Sequence, residues 1–227
     1  METVRNIKLE NLKVNVMKQN RLTVFLVSLT FVGVSVSSLT AQTWPPLGML
    51  GNGTSDNPWQ ITTAAELKAL EEYVNAVNVT AGVYYKLMNN IDLSGYPNWI
   101  PIGDNTQCAL ARCANFQGNF DGNGYAVQNL TINRPTMKYV ALFGYVSTYA
   151  MIKNLGVVNC NVIGSDYVGG LAGFLSGGDT ITNCYVTGSV SGYSFIGGLV
   201  GANTKFYSSV FAMAKPCLGF VGKELIA

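Results

Sequence analysis

Three stretches of the chain repeat one pattern of apolar and small residues. Tyr139-Val-Ala-Leu-Phe-Gly-Tyr-Val, Tyr167-Val-Gly-Gly-Leu-Ala-Gly-Phe and Phe195-Ile-Gly-Gly-Leu-Val-Gly-Ala align without gaps and at equal spacing. A second element, Ile152-Lys-Asn-Leu-Gly-Val-Val, recurs at nearly the same interval as Ile181-Thr-Asn-Cys-Tyr-Val-Thr, and Val127-Gln-Asn-Leu-Thr-Ile reads as an earlier copy. The runs are short and rich in Val, Ile, Tyr, Phe and Thr. Gly164, Gly192, Ser165-Asp166 and Gly177-Gly178-Asp179 punctuate them. Such runs form strands, and a fixed period of this length means stacked supersecondary units. The expected fold is all-β: a right-handed parallel β-helix with coils of about 28 residues, roughly three to five of them. Like residues then stack as ladders: Tyr139/Tyr167/Phe195, Val140/Val168/Ile196 and Phe143/Leu171/Leu199. Glycine corners such as Gly169-Gly170 and Gly197-Gly198 scramble inward and outward parity. Core packing is the first reading of the aromatic ladder, and a sugar-stacking platform the alternative.

Ahead of the repeats, Thr62-Thr63-Ala-Ala-Glu66 is a capping box with Thr63 as N-cap. It opens a helix through about Val77, with Leu67, Leu70, Val74 and Val77 at helical spacing. A solenoid exposes the apolar interior of its end coil, so this helix is expected to be an N-terminal lid. Residues 61–203 are the β-helix domain, 42–60 a linker into it, and Tyr84 to Leu93 the first strand region. An insertion at 103–115 projects from an early coil. Residues 204–227 leave the repeat register and read as a divergent tail, either a cap or a truncation.

Lys18 and Arg21 precede an uncharged run from Leu22 to Val36, and a small residue, Ala41, follows shortly after it. A basic start, an apolar centre and a small terminal residue describe a secretory signal peptide over 17–41, with 1–16 an upstream extension. The expected location is therefore outside the cytoplasm: cell surface, extracellular or periplasmic, with membrane contact only through the signal peptide.

The chain has 227 residues and no histidine, which excludes Ser-His-Asp and Cys-His catalysis and histidine-ligated zinc. The net charge of +2 comes from the front of the chain, where Arg5, Lys8, Lys13, Lys18 and Arg21 oppose Glu2 and Glu10. The remaining body is near neutral and carries no electrostatic footprint for nucleic acid. Of the 5 cysteines, Cys108 and Cys113 bracket a short loop and read as a disulfide in an oxidising compartment. Cys160 and Cys184 lie in apolar runs and read as small buried hydrophobes, and Cys217 leaves the count odd. No spacing among them suits a metal.

The Tyr167 and Phe195 strings resemble the GLUG motif. Their approach resembles the start of GLUG-containing proteins too: Gly53-Thr-Ser-Asp-Asn-Pro-Trp-Gln-Ile, the Leu-rich helix, Asn90-Ile-Asp-Leu-Ser and Phe116-Gln-Gly-Asn-Phe-Asp-Gly-Asn-Gly-Tyr. The resemblance spans about residues 50–203. It implies a bacterial, Bacteroidetes-like exported surface protein with an adhesin-like β-helical stalk, and it supplies no catalytic residues. The expectation is a non-catalytic module binding glycan or a cell-surface protein, with no catalytic, cofactor or metal residues. Two alternatives stand beside it: a polysaccharide lyase or hydrolase on a β-helix, and a fragment of a larger surface protein without activity of its own. A glycosidase needs two carboxylates at a defined separation, whereas Asp92, Asp104, Asp121, Asp166 and Asp179 are isolated in sequence. Phe120-Asp121-Gly122-Asn123-Gly124 could offer oxygens to calcium, but a tight turn is the simpler reading.

Overall fold

The computed structural model describes residues 44–46, 48–105, 113–147 and 149–204. The predicted extension, signal peptide and Cys217, and all of the tail but Thr204, lie outside these residues. The described chain is a parallel β-solenoid, and every paired strand meets its counterpart in a neighbouring coil. One sheet has five strands in the order β1 (Trp59–Ile61), β2 (Tyr84–Leu87), β4 (Asn119–Asp121), β8 (Met151–Lys153) and β12 (Thr180–Thr182). A second runs through β3 (Ile91–Asp92), β5 (Ala126–Gln128), β9 (Gly156–Ile163) and β13 (Tyr185–Ser191), with β6 (Thr131–Asn133) also paired to β9. The third holds β7 (Phe143–Ser147), β11 (Ala172–Ser176) and β15 (Val200–Asn203), and the fourth β10 (Asp166–Val168) and β14 (Ser194–Ile196). Tyr84 pairs with Asn119, Asn119 with Met151 and Met151 with Thr180. From β2 onward successive coils thus shorten toward the period of the repeat, whereas the first coil is short, Trp59 pairing with Tyr85.

Stacking places one apolar side chain over another along the inside. Tyr85, Phe120, Ile152 and Ile181 form one buried column, and Val127, Val157 and Val186 another. The register also corrects two alignments. Val127-Gln128 lies beside Val157-Val158 in the second sheet, not in the Ile152 column, whose earlier member is Phe120. The local pattern is the same at both places because each puts an asparagine at a left-handed corner, Asn129 at φ 58° and Asn154 at φ 53°. Asn and Asp enter that region at lower cost than other side chains.

The second correction concerns Phe143, which pairs with Ala172 and, through it, with Val200 rather than with Leu171 and Leu199. Val140 pairs with Val168, so the stretch from Val168 to Ala172 holds one residue more than the stretch from Val140 to Phe143. The extra residue is absorbed where Gly169-Gly170 stands against the single Ala141. A Cβ at Gly169 would lie 2.1 Å from the Ala172 carbonyl oxygen, so no larger residue fits this bend.

The helix α1 (Ala64–Asn75) begins with the capping box, the Glu66 N–H donating to Thr63 Oγ1 at 3.2 Å and the Thr63 N–H to Glu66 Oε2 at 2.9 Å. Loss of this cap in Thr63→Ala is expected to cost about 1 kcal/mol, read as a lower urea midpoint. The helix stops short of Val77, which sits at φ 64°. Leu67, Leu70 and Val74 enter the common core with Ile61, Tyr85 and Leu87. Asn75 locks the helix end onto an early coil. Its Oδ1 accepts from the Gly103 and Asp104 N–H groups, at 2.8 and 3.1 Å, while its Nδ2 donates to Pro101 O and Glu71. The solenoid starts earlier than residue 61, because β1 pairs residue for residue with β2 and Met49 is buried in the same core.

Candidate functional site

The aromatic ladder lies on the outside of the solenoid, which overturns the core reading. Tyr139, Tyr167 and Phe195 have φ of 59°, 60° and 53°. Each left-handed residue turns its ring outward while the next residue, Val140, Val168 or Ile196, turns in. Such a φ is unfavourable for a bulky residue. Contacts offset the strain: Tyr139 stacks on Tyr167 at 5.0 Å and 9°, and Tyr167 on Phe195 at 4.8 Å and 7°. Tyr145 and Phe174 form a second column, 5.0 Å apart, with edges toward the first. Phe195 is 48 % exposed and the two tyrosines are half-buried.

Gly144, Gly173 and Gly201 bring the two columns together. A Cβ on Gly173 would lie 2.7 Å from Tyr167 O and 2.8 Å from Gly144 O. The glycine thus lets the corner backbone lie directly on the β11 strand. Tyr167 spends both ring faces within the column and Tyr139 and Phe195 one each, so a ligand approaching from the side meets ring edges and phenol hydroxyls. Burial first, then the neighbouring Tyr167 and Tyr145, push the Tyr139 phenol above its ordinary value. Beside the column Lys138 pairs with Asp166 at 3.2 Å; the hydrogen bond to Asp166, then its charge, raises the lysine.

The Asp121 string is a turn. Asn123 and Gly124 both have positive φ, 54° and 82°, and the Tyr125 N–H donates to Gly122 O at 2.8 Å. Asp121 ends a side-chain ladder that sequence reading missed. Asn183 Nδ2 donates to Asn154 Oδ1 at 2.8 Å, and Asn154 Nδ2 to Asp121 Oδ1 at 3.0 Å. A second ladder runs from Asn159 through Asn129 to Asp92. The signal was present in the recurring Asn of the Ile-x-Asn element. Burial alone raises the Asp121 carboxyl, but hydrogen bonds from Asn154 and the Asn123 N–H, with Lys153, outweigh it and hold the group below its usual value. That stabilisation is complete above the unfolded carboxylate pKa and is lost as pH falls through the lower folded value. The unfolding midpoint should drop on acidification from about pH 5 to about pH 3, with a shallower drop in Asp121→Asn.

Asp179 is buried and structural, accepting from the Ala150 N–H at 3.0 Å and the Ser176 N–H at 2.9 Å. Cys160 and Cys184 are buried thiols, and burial, the largest cause, pushes the Cys184 thiol up to about 11. Cys113 is disulfide-bonded; its expected partner Cys108 lies outside the described residues. Among the described residues no three His, Cys, Asp or Glu side chains are grouped to hold a metal, and no helix is long and apolar enough to cross a membrane.

The corner just described, with its aromatic, paired glycines and close-packed final glycine, falls within a family match. Residues 164–191 carry the GLUG motif. Two curated relatives are similar over longer stretches. Halomucin of Haloquadratum walsbyi is 36% identical over 155 residues, 68% of this chain and 2% of that protein. A candidate Gly-rich membrane protein of Evansella cellulosilytica is 35% identical over 112 residues, 47% of this chain and 12% of that protein. The chain therefore spans a small fraction of either relative. The crystal structure of a candidate immunoglobulin A1 protease from Bacteroides ovatus is similar at 20% identity, with a TM-score of 0.42 over 69% of this chain and 65% of that one.

Proposed function

We propose that this chain is a non-catalytic β-solenoid module of an exported surface protein, holding glycan or a cell-surface protein on its GLUG face. What carries this reading is the outward column Tyr139–Tyr167–Phe195 beside Tyr145–Phe174, a rigid ribbed surface built at the cost of three left-handed aromatic residues. Strain of this kind persists where the surroundings over-determine it, and it clusters at functional surfaces. Phenol hydroxyls, ring edges and the Lys138–Asp166 pair are the groups available to a ligand. The name of the Evansella cellulosilytica relative, a membrane protein, supports a place at the cell envelope, as does the predicted signal peptide.

The test is retention of pectin, alginate and mucin on the immobilised full chain, with soluble products assayed in the same samples. Saturable retention without product is expected, weakened about tenfold in Tyr167→Ala through loss of ring contacts. Lys138→Glu is a second variant that leaves the stack intact and should also weaken retention of an acidic polymer. Release of unsaturated uronate or new reducing ends would instead establish an enzyme. Retention unchanged in both variants would remove this face from the binding.

A further inference from the structure

We propose that Tyr139 and Tyr167 are a site of oxidative modification, which a haem peroxidase with hydrogen peroxide joins into a dityrosine linking one coil to the next. Among the described residues theirs is the stacked pair in which both rings are tyrosines, with centroids 5.0 Å apart and planes 9° from parallel. Their backbones run in register, the Tyr139 N–H donating to Asp166 O and the Val140 N–H to Tyr167 O. Their φ values match, at 59° and 60°. The ring separation is also close to the spacing of about 4.8 Å between paired strands, so one ring is nearly the translated copy of the other. Each carbon ortho to a phenol hydroxyl therefore faces its counterpart on the next coil. That carbon is where a phenoxyl radical holds unpaired spin, in a π orbital pointing out of the ring face. Stacked faces are the arrangement from which a carbon–carbon bond forms between two such radicals.

The neighbouring rings do not compete for this coupling. Tyr145 meets Tyr139 at 5.2 Å and 75°, edge against face, so their π orbitals do not point at one another. Phe195 stacks on Tyr167 at 4.8 Å and 7° but has no phenol to oxidise. In the reaction, hydrogen peroxide takes one electron and one proton from each phenol, and its O–O bond breaks to give two waters. The two radicals couple through their ortho carbons, and the proton on each of those carbons moves to its own phenolic oxygen. The protein loses two hydrogen atoms in all. Holding the partners on adjacent coils makes the coupling unimolecular. Tyr193, 89 % exposed and stacked on no other described ring, couples only when two chains meet. Both tyrosines of the pair are half-buried on the outside of the wall, within reach of a peroxidase. Cys113 is disulfide-bonded, and disulfides persist in oxidising compartments. The new bond would limit the freedom of the unfolded chain as any cross-link between distant residues does.

The test treats the full chain with a haem peroxidase and hydrogen peroxide over a dilution series. Dityrosine fluorescence is followed, and proteolytic fragments are read by mass spectrometry. The expected product is a linked pair of fragments carrying Tyr139 and Tyr167, lighter than their sum by two hydrogens, with a yield independent of chain concentration. Tyr167→Phe should lose this product and Tyr145→Phe should keep it. Phe195→Tyr should add a link from Tyr167 to the introduced ring, a gain that no unfolded variant would mimic at high dilution. Circular dichroism would show that the three variants remain folded. A yield that falls in proportion to dilution would overturn the proposal in favour of coupling between chains. A main link from Tyr139 to Tyr145, or fluorescence undiminished in Tyr167→Phe at high dilution, would overturn it as well.

Discussion

Phe143→Ala is expected to lower the free energy of unfolding by about 4 kcal/mol, measured by urea denaturation at neutral pH. Phe143 has no exposed surface, and its ring lies 5.0 Å from Phe116 and 5.2 Å from Phe120. Its neighbour along the column is Ala172, too small to fill the space an alanine would open. The backbone ladders of the flanking coils also limit collapse, so the cavity term adds to the lost transfer term. Phe195→Ala makes the comparison, because that ring is half in solvent already and should cost no more than about 1.5 kcal/mol. Equal costs for the two would contradict the inward placement of Phe143.

Gly173→Ala should be nearly as damaging, at about 3 kcal/mol, although it adds a single methyl group. The new Cβ would meet backbone on two coils at once: Tyr167 O at 2.7 Å, Gly144 O at 2.8 Å and Tyr139 C at 2.8 Å. Backbone atoms fixed in parallel ladders cannot give way as the end of a flexible side chain can. The aromatic columns should loosen with the corner, so the tyrosine near-UV circular dichroism should fall in the same variant. Gly124→Ala is the control. Its Cβ has nothing within 4 Å, and its positive φ of 82° leaves only the local strain of about 1 kcal/mol.

The solenoid was legible in the sequence because identical positions on successive coils face identical surroundings, so selection for packing writes a period into the chain. The capping box was legible for a different reason: it depends on residues close in sequence and on nothing distant. The coil lengths were not legible, since an early coil can lengthen at its loops without disturbing the stacked strands. The longer coils from Tyr84 to Asn119 and from Asn119 to Met151 therefore escape a search for a fixed period. The first strand, β1, was too short to announce itself, and becomes a strand through its pairing with β2. The aromatic ladder was seen, but not its side of the wall. That depended on three left-handed φ values, and a left-handed aromatic has no sequence signature as glycine does. The asparagine ladders were half visible, because the motif marks two different corners, at Asn129 and Asn154, that looked like one position in successive coils.

Two introduced cysteine pairs separate these registers directly. Lys153 and Thr182 are Cα partners on adjacent strands of the first sheet, about 4.8 Å apart and within reach of a disulfide. Gln128 belongs to the second sheet, beside Val158, although the repeated motif alone would set it on Lys153. Mild oxidation of the full chain should bridge Lys153→Cys to Thr182→Cys and leave Lys153→Cys unbridged to Gln128→Cys, as read by mass spectrometry of proteolytic fragments. The reverse result would contradict the stacked-coil register on which the outward GLUG face depends.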